Sequence, residues 1–243
     1  MGATRVSNYN SSGPGTNSLT CAYTSGNTSG NKLICVVYSH HGSGTVTGFS
    51  VSDNAGGGGG NTWNLQGSFY SASDPDEGWT DSLGVYLVSS CLAGANTVTV
   101  TRQGSTGSCA ISMCVIEYAD ASGLLFDTSN NGHDYSGSGS NAINSGDITT
   151  SVQSDVIIGF ATTGNYPYTF PSSPWTQLAL VTGSSNCWLA VADSLNVASG
   201  TTGFNGTSSG NPNWLAAIFA FKAGGGPPPP PSSAAPNVPT FWM

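Results

Sequence analysis

Short apolar runs separated by Gly, Asn and Ser recur along this chain, and several alternate strictly. In Asn96-Thr97-Val98-Thr99-Val100-Thr101 the period is two, which turns Val98 and Val100 to one face and the threonines to the other. Val156-Ile157-Ile158 and Ile218-Phe219-Ala220-Phe221 are apolar at both parities, the pattern of strands covered on both faces. The same reading predicts strands at Leu19–Tyr23, Lys32–Ser39, Val46–Ser52, Thr62–Tyr70, Leu83–Ser89, Asn96–Arg102 and Ala110–Tyr118. It continues with Asp147–Val152, Val156–Thr162, Thr176–Thr182, Cys187–Asp193 and Trp214–Phe221. No segment sustains a helical period, and the 34 glycines, with Gly56–Gly60 in one run, favour turns. About twelve such strands predict an all-β fold, an antiparallel β-sandwich of jelly-roll type. Asn10–Gly15 reads as a loop, with the residues before it as an edge strand or a partner-binding arm. No composition shift and no repeat is visible before Ala223. Residues 1–223 therefore read as one β-sandwich domain and residues 224–243 as an extended Gly/Pro-rich C-terminal arm.

Charge narrows the partners. Only 7% of residues are charged, against about 25% in an average domain. The basic residues are Arg5, Lys32, Arg102 and Lys222, and the formal net charge is −8. Nucleic acid requires clustered Lys or Arg to displace counterions from phosphates, so no nucleic-acid partner is expected. An anionic membrane surface is disfavoured on the same ground, and no apolar stretch is long enough for a spanning helix, so no membrane partner is expected. The opening residues Met1–Arg5 lack the apolar core of a signal peptide. A virion or extracellular surface is the expected setting, and a virion subunit needs no export signal.

Chemistry-bearing residues are sparse. Cys21, Cys35, Cys91, Cys109, Cys114 and Cys187 include no C-x-x-C pair, which argues against structural zinc. Most fall in strand-like runs, where a reduced Cys is a small buried residue, and Cys91 with Cys109 is the candidate disulfide. Asp74, Asp76, Glu77 and Asp81 form an acidic loop that is a candidate Ca²⁺ site, although Pro75 breaks the spacing of a calcium-binding helix-loop-helix. No other cofactor is expected. His40-His41 and His133-Asp134 read as surface loop residues, because no positioned nucleophile accompanies them. The only glutamates are Glu77 and Glu117, and a lone carboxylate at a strand end is expected to bond loop backbone rather than do chemistry. The chain therefore reads as non-enzymatic.

Two aromatic segments are candidates for recognition. Tyr166, Tyr168 and Trp175 lie in a proline-stiffened loop, either as a sugar-stacking platform or as a lid over the open end of the sandwich. At the C-terminus, Pro227–Pro231 begin a stiff segment that ends in Phe241-Trp242-Met243. Polyproline rises about 3.1 Å per residue, so Pro227 to Pro239 spans roughly 40 Å. Stiffness reduces the entropy lost on docking, and each tip side chain gains about 1.5–3 kcal/mol on full burial. Pro227, Pro231, Phe241, Trp242 and Met243 are thus the candidate partner-binding residues, with other subunits of the same assembly as the partner.

Val51-Ser52-Asp53 with Asn61-Thr62-Trp63, then Asn96–Thr101, Ile116-Glu117-Tyr118, Asp155–Phe160 and Ala217–Lys222 follow one another in order. In these short motifs the chain resembles the Gly/Ser/Thr-rich all-β accessory proteins of bacteriophage virions, modules also found in bacterial surface proteins. The resemblance implies a virion or cell-surface setting and carries over no catalytic residue. The expectation is a structural protein of an extracellular assembly: a capsid decoration, tail accessory protein or filament subunit, attached by its arm. A carbohydrate-binding module using the aromatic loop is the alternative.

Overall fold

A computed structural model describes residues 2–14, 17–42, 45–73, 78–104, 109–119, 123–135, 141–150, 154–164, 166–182, 187–210 and 212–223. The chain is all-β. Its first half holds β1 (Thr4–Pro14), β2 (Ser18–Asn27), β3 (Lys32–His41), β4 (Val46–Asp53), β5 (Asn64–Ser73), β6 (Thr80–Val88), β7 (Gly94–Gly104) and β8 (Cys109–Ala119). A single helical turn, α1 (Ala55–Gly58), falls within the glycine run, where Gly56 and Gly57 take positive φ values that side chains disfavour. The second half holds β9 (Leu124–Asp134), β10 (Ala142–Thr150), β11 (Ser154–Thr162), β12 (Tyr168–Thr169), β13 (Thr176–Val181), β14 (Leu189–Val197), β15 (Gly200–Ser208) and β16 (Trp214–Ala223). Among the described residues no helix is long and apolar enough to cross a membrane.

The two halves share one topology. In the first, β1-β8-β3-β6-β5 faces β2-β7-β4; in the second, β9-β16-β11-β14-β13 faces β10-β15-β12. Strands one, eight, three and six opposite two, seven and four make a jelly roll, with the fifth strand added at the edge beside the sixth. Six of the eight register breaks among the described residues also recur in pairs. Register breaks occur between β1 and β8 and between β9 and β16, between β2 and β7 and between β10 and β15, and between β5 and β6 and between β13 and β14. The described residues thus form a tandem structural repeat, which no residue pattern reveals.

Burial explains why the strongest runs are apolar at both parities. Leu33, Cys35 and Val37 of β3 face β2, β4 and β7, while Ile34, Val36 and Tyr38 face the other half. In β11, Ile157 and Ala161 pack towards β10 and β15, while Val156, Ile158 and Phe160 meet the first half. The result is four layers, with the two five-stranded sheets at the centre and the largest apolar cluster between them. Each large side chain in that cluster is worth about 1.5–3 kcal/mol on full burial. Val98 and Val100 point inward from β7, as the alternation predicted. Strand β1 lies against β13 and β5 against β9, the arrangement a two-fold axis between the halves would give.

Pairing also fixes where the strand ends lie. Thr4 is opposite Ala119, Leu124 is opposite Ala223, and Asn196 Nδ2 near the end of β14 donates to Ala3 O at 3.4 Å. These ends share one pole, called here the terminal pole. Pro14 opposite Ala110, His41 opposite Cys109 and Asp134 opposite Trp214 mark the distal pole.

Candidate functional site

All three histidines of the chain gather towards the distal pole. His40 and His41 are the last residues of β3, not loop residues, and His133 is in β9. This corrects their reading as surface loop residues: His41 is fully buried, and the backbone around all three is paired. Neighbouring strand residues face opposite ways, and His40 and His41 do. His40 turns to the inter-half face, where Nδ1 is 2.8 Å from Asp81 Oδ1. Its ring stacks on Trp79 with centroids 4.8 Å apart. His41 turns to the other face, with Nε2 3.3 Å from Ser82 Oγ. Burial, followed by the nearby Arg102 cation, lowers the pKa of His41, which keeps its imidazole neutral at pH 7.

Asp81 is the hub. Tyr38 Oη donates to Oδ1 at 2.6 Å, and Tyr135 Oη, from the other half, donates to Oδ2 at 3.0 Å. With His40 this makes three donors on one buried carboxylate. Burial and the Asp81 charge together raise the Tyr38 pKa far above its ordinary value, so it remains a donor. A second link joins the halves close by, a 2.5 Å hydrogen bond between Tyr70 Oη and His133 Nδ1. The arrangement is a clasp. Its acid, imidazole and serine are distributed over two faces of the sheet, Ser82 with His41 and Asp81 with His40, so no nucleophile–base–acid relay is assembled from them.

Beside the clasp, the edge strands β5 and β9 part to form a cleft of about 200 Å³. Ser68, Tyr70, Ser129, Asn130 and Asn131 line it with Leu83, Ala217 and Phe219, and those three apolar residues are buried. Asn130 is braced: Nδ2 donates to Asp147 O at 2.9 Å and Oδ1 accepts from Asn131 N at 2.9 Å. No residue pattern pointed to this cleft, because β9 carries the polar run Ser129-Asn130-Asn131-Gly132 and reads as a loop.

Other polar clusters are internal pins. Glu117 is fully buried; Oε1 accepts from Thr28 N at 2.9 Å and Asn31 Nδ2 at 2.6 Å, and Oε2 from Asn27 Nδ2 at 3.2 Å. Bonding of loop backbone was its expected role. Asn96 Nδ2 extends the network to Asn27 Oδ1 at 2.6 Å. Asp53 accepts from Asn61 N and Nδ2, both at 2.8 Å, and from Trp63 Nε1 at 2.9 Å. Several of the short motifs seen in the sequence therefore anchor loops. Asp193 ties the halves together elsewhere, accepting from Arg5 at 2.5 Å and from Tyr118 Oη at 3.0 Å. Burial raises its pKa, although Arg5 opposes the shift.

The remaining candidates are placed as follows. In the aromatic loop Tyr168 is buried against Phe170 and Phe204, with ring centroids 5.0 and 5.9 Å apart, and Trp175 meets Phe204 edge-on at 4.9 Å. These rings close the second sandwich as a lid. Only Tyr166 is exposed, so Tyr166, Tyr168 and Trp175 do not form a stacking platform. The Cys91–Cys109 disulfide is also corrected. Cys91 N donates to Asn31 O beside the start of β3, whereas Cys109 pairs with His41 at its end. At about 3.3 Å per residue these points are roughly 30 Å apart, and a disulfide needs Cα atoms within about 7 Å. Cys91 is a free, buried thiol whose Sγ donates to Thr28 O at 3.0 Å.

Of the acidic loop, Asp74, Asp76 and Glu77 lie outside the described residues. Asp81 belongs to β6 and turns inward to its three donors, so it is not a loop ligand. Among the described residues no three His, Cys, Asp or Glu converge as metal ligands. Pro227, Pro231, Phe241, Trp242 and Met243 lie outside the described residues too. No protein-family model matches the chain, and the search of curated proteins gives no match either.

Proposed function

We propose that this chain is a non-enzymatic building block of an extracellular assembly, a virion decoration or tail accessory protein or a filament subunit, attached through residues 224–243. The observation that carries this reading is polarity. The last strand ends at Ala223, on the same pole as Thr4, so an arm continuing from it anchors the domain by that pole. The distal pole, where the β5–β9 seam ends, then faces away from the anchor. Support also comes from the buried carboxylates Asp81, Glu117 and Asp193, whose hydrogen-bonding capacity goes to holding strands, loops and halves together. Stiffness and a shared core suit a part that bears load. Many copies would turn weak arm contacts into durable attachment.

Deletion of residues 224–243 tests this. The truncated protein keeps the melting temperature of the full chain but loses self-association in analytical ultracentrifugation and incorporation into particles. A truncated chain that assembles as well as the full one overturns the proposal.

A further inference from the structure

We propose that the cleft between β5 and β9 is a binding site for a single neutral sugar residue. Three features of the cleft carry the assignment, and none depends on how the arm attaches. First, three of its polar side chains are uncommitted: among the described residues those of Ser68, Ser129 and Asn131 make no hydrogen bond within the protein. Exposed polar groups with free donors and acceptors, carried on the edge strands β5 and β9, are what a ring of hydroxyls requires. Asn131 offers a planar amide that donates and accepts at once. Its backbone is held in place by Asn130, which the Asp147 carbonyl fixes in turn.

Second, the cleft joins a polar rim to an apolar surface. Leu83, Ala217 and Phe219 supply a dry floor, and Tyr70 supplies an aromatic wall whose hydroxyl is held by His133. A pyranose has this same division, with C–H groups on its faces and hydroxyls at its edge. Third, size and charge limit the ligand. At about 200 Å³ the cleft is smaller than the roughly 300–1,000 Å³ of drug-sized pockets, so it takes one ring. No ionisable acid or base other than Tyr70 lines it, and the chain carries a net charge of −8, so an anionic sugar is disfavoured.

The test is saturation-transfer NMR on the full-length protein with glucose, galactose, mannose, N-acetylglucosamine and glucuronate as probes. At least one neutral sugar shows transfer, and glucuronate does not. Ser68→Trp, an exposed position on the cleft wall, fills the space and abolishes the signal, while circular dichroism stays that of the wild type. Asn131→Ala weakens binding about five- to tenfold, the loss of one or two hydrogen bonds. Trp175→Ala, in the lid of the second sandwich and not among the residues that line the cleft, leaves the affinity unchanged. Transfer from no sugar overturns the proposal, as does binding indifferent to Ser68→Trp. Preference for glucuronate, or stronger binding of free glutamine than of any sugar, overturns it as well.

Discussion

Replacing Asp81 tests whether the two halves behave as one cooperative body. In the native chain this carboxylate accepts from Tyr38 in its own half and Tyr135 in the other, and both tyrosines are at least nine-tenths buried. Asp81→Ala removes the acceptor and leaves those hydroxyls to be desolvated without it, at about 1–3 kcal/mol each. His40 loses its Nδ1 partner as well, although the carboxylate no longer has to be kept out of water. The sum is about 3–5 kcal/mol, the usual size for removing one member of a buried charged network. In a chain of this length about 1 kcal/mol moves Tm by about 2–4 °C, so the variant melts roughly 6–20 °C lower. Asp81→Asn keeps one acceptor oxygen and loses about half as much. The six tryptophans give the signal for urea unfolding. A double-mutant cycle of Asp81→Asn with Tyr135→Phe isolates the inter-half bond, with an expected coupling of about 0.5–3 kcal/mol. Strict additivity in that cycle, or a loss below about 1 kcal/mol for Asp81→Ala, refutes the clasp.

Three further outcomes follow from the same geometry. Asp193 has a folded-state pKa raised by burial, so its share of stability is full at low pH and falls as pH rises from the ordinary carboxylate value through the raised one; Asp193→Asn flattens that part of the profile of urea midpoint against pH. Gly159→Ala places a Cβ against the ring and Cβ of Phe204 between β11 and β15, and the overpacking lowers stability by about 1–3 kcal/mol in the same unfolding assay. Burial pushes the Cys91 thiol up to about 11, so thiol reagents modify it only after denaturation, and non-reducing mass mapping recovers it unpaired with Cys109.

The strands that were legible were those whose apolar residues are needed for burial. β3, β8, β11 and β16 stand out because both of their faces are covered, and β7 because one face meets the core and the other water. β9 and β15 escaped notice for the opposite reason, and β1, expected as an edge strand or arm ahead of a loop at Asn10–Gly15, runs on to Pro14. They are polar strands, Gly200–Ser208 reading GTTGFNGTS, held by backbone pairing rather than by burial of alternate side chains. The polar sequence of β9 also hid the candidate site, since Ser129, Asn131 and His133 face a seam instead of a core. The repeat was hidden because two-sided burial requires apolar residues without dictating which: Ile34, Val36 and Tyr38 in one half play the part of Val156, Ile158 and Phe160 in the other. Cys91 and Cys109 were paired on sequence proximity to strand ends, and only the course of β3 between them shows the separation.

The shared central core has a historical reading. One eight-strand unit by itself would present Ile34, Val36, Leu83 and Ile116 to water, a face that demands a mate. Two identical copies, facing one another, would satisfy it and would carry two equivalent grooves. Fusing the copies into one gene releases those grooves from having to match. In this chain the β1–β13 groove is bridged by Asn8 reaching the Leu178 carbonyl at 2.9 Å, while its β5–β9 twin is bridged by Tyr70 and His133 and keeps a cleft beside that link. A lost symmetry thus leaves two grooves that both fasten the molecule, one of them with room to specialise.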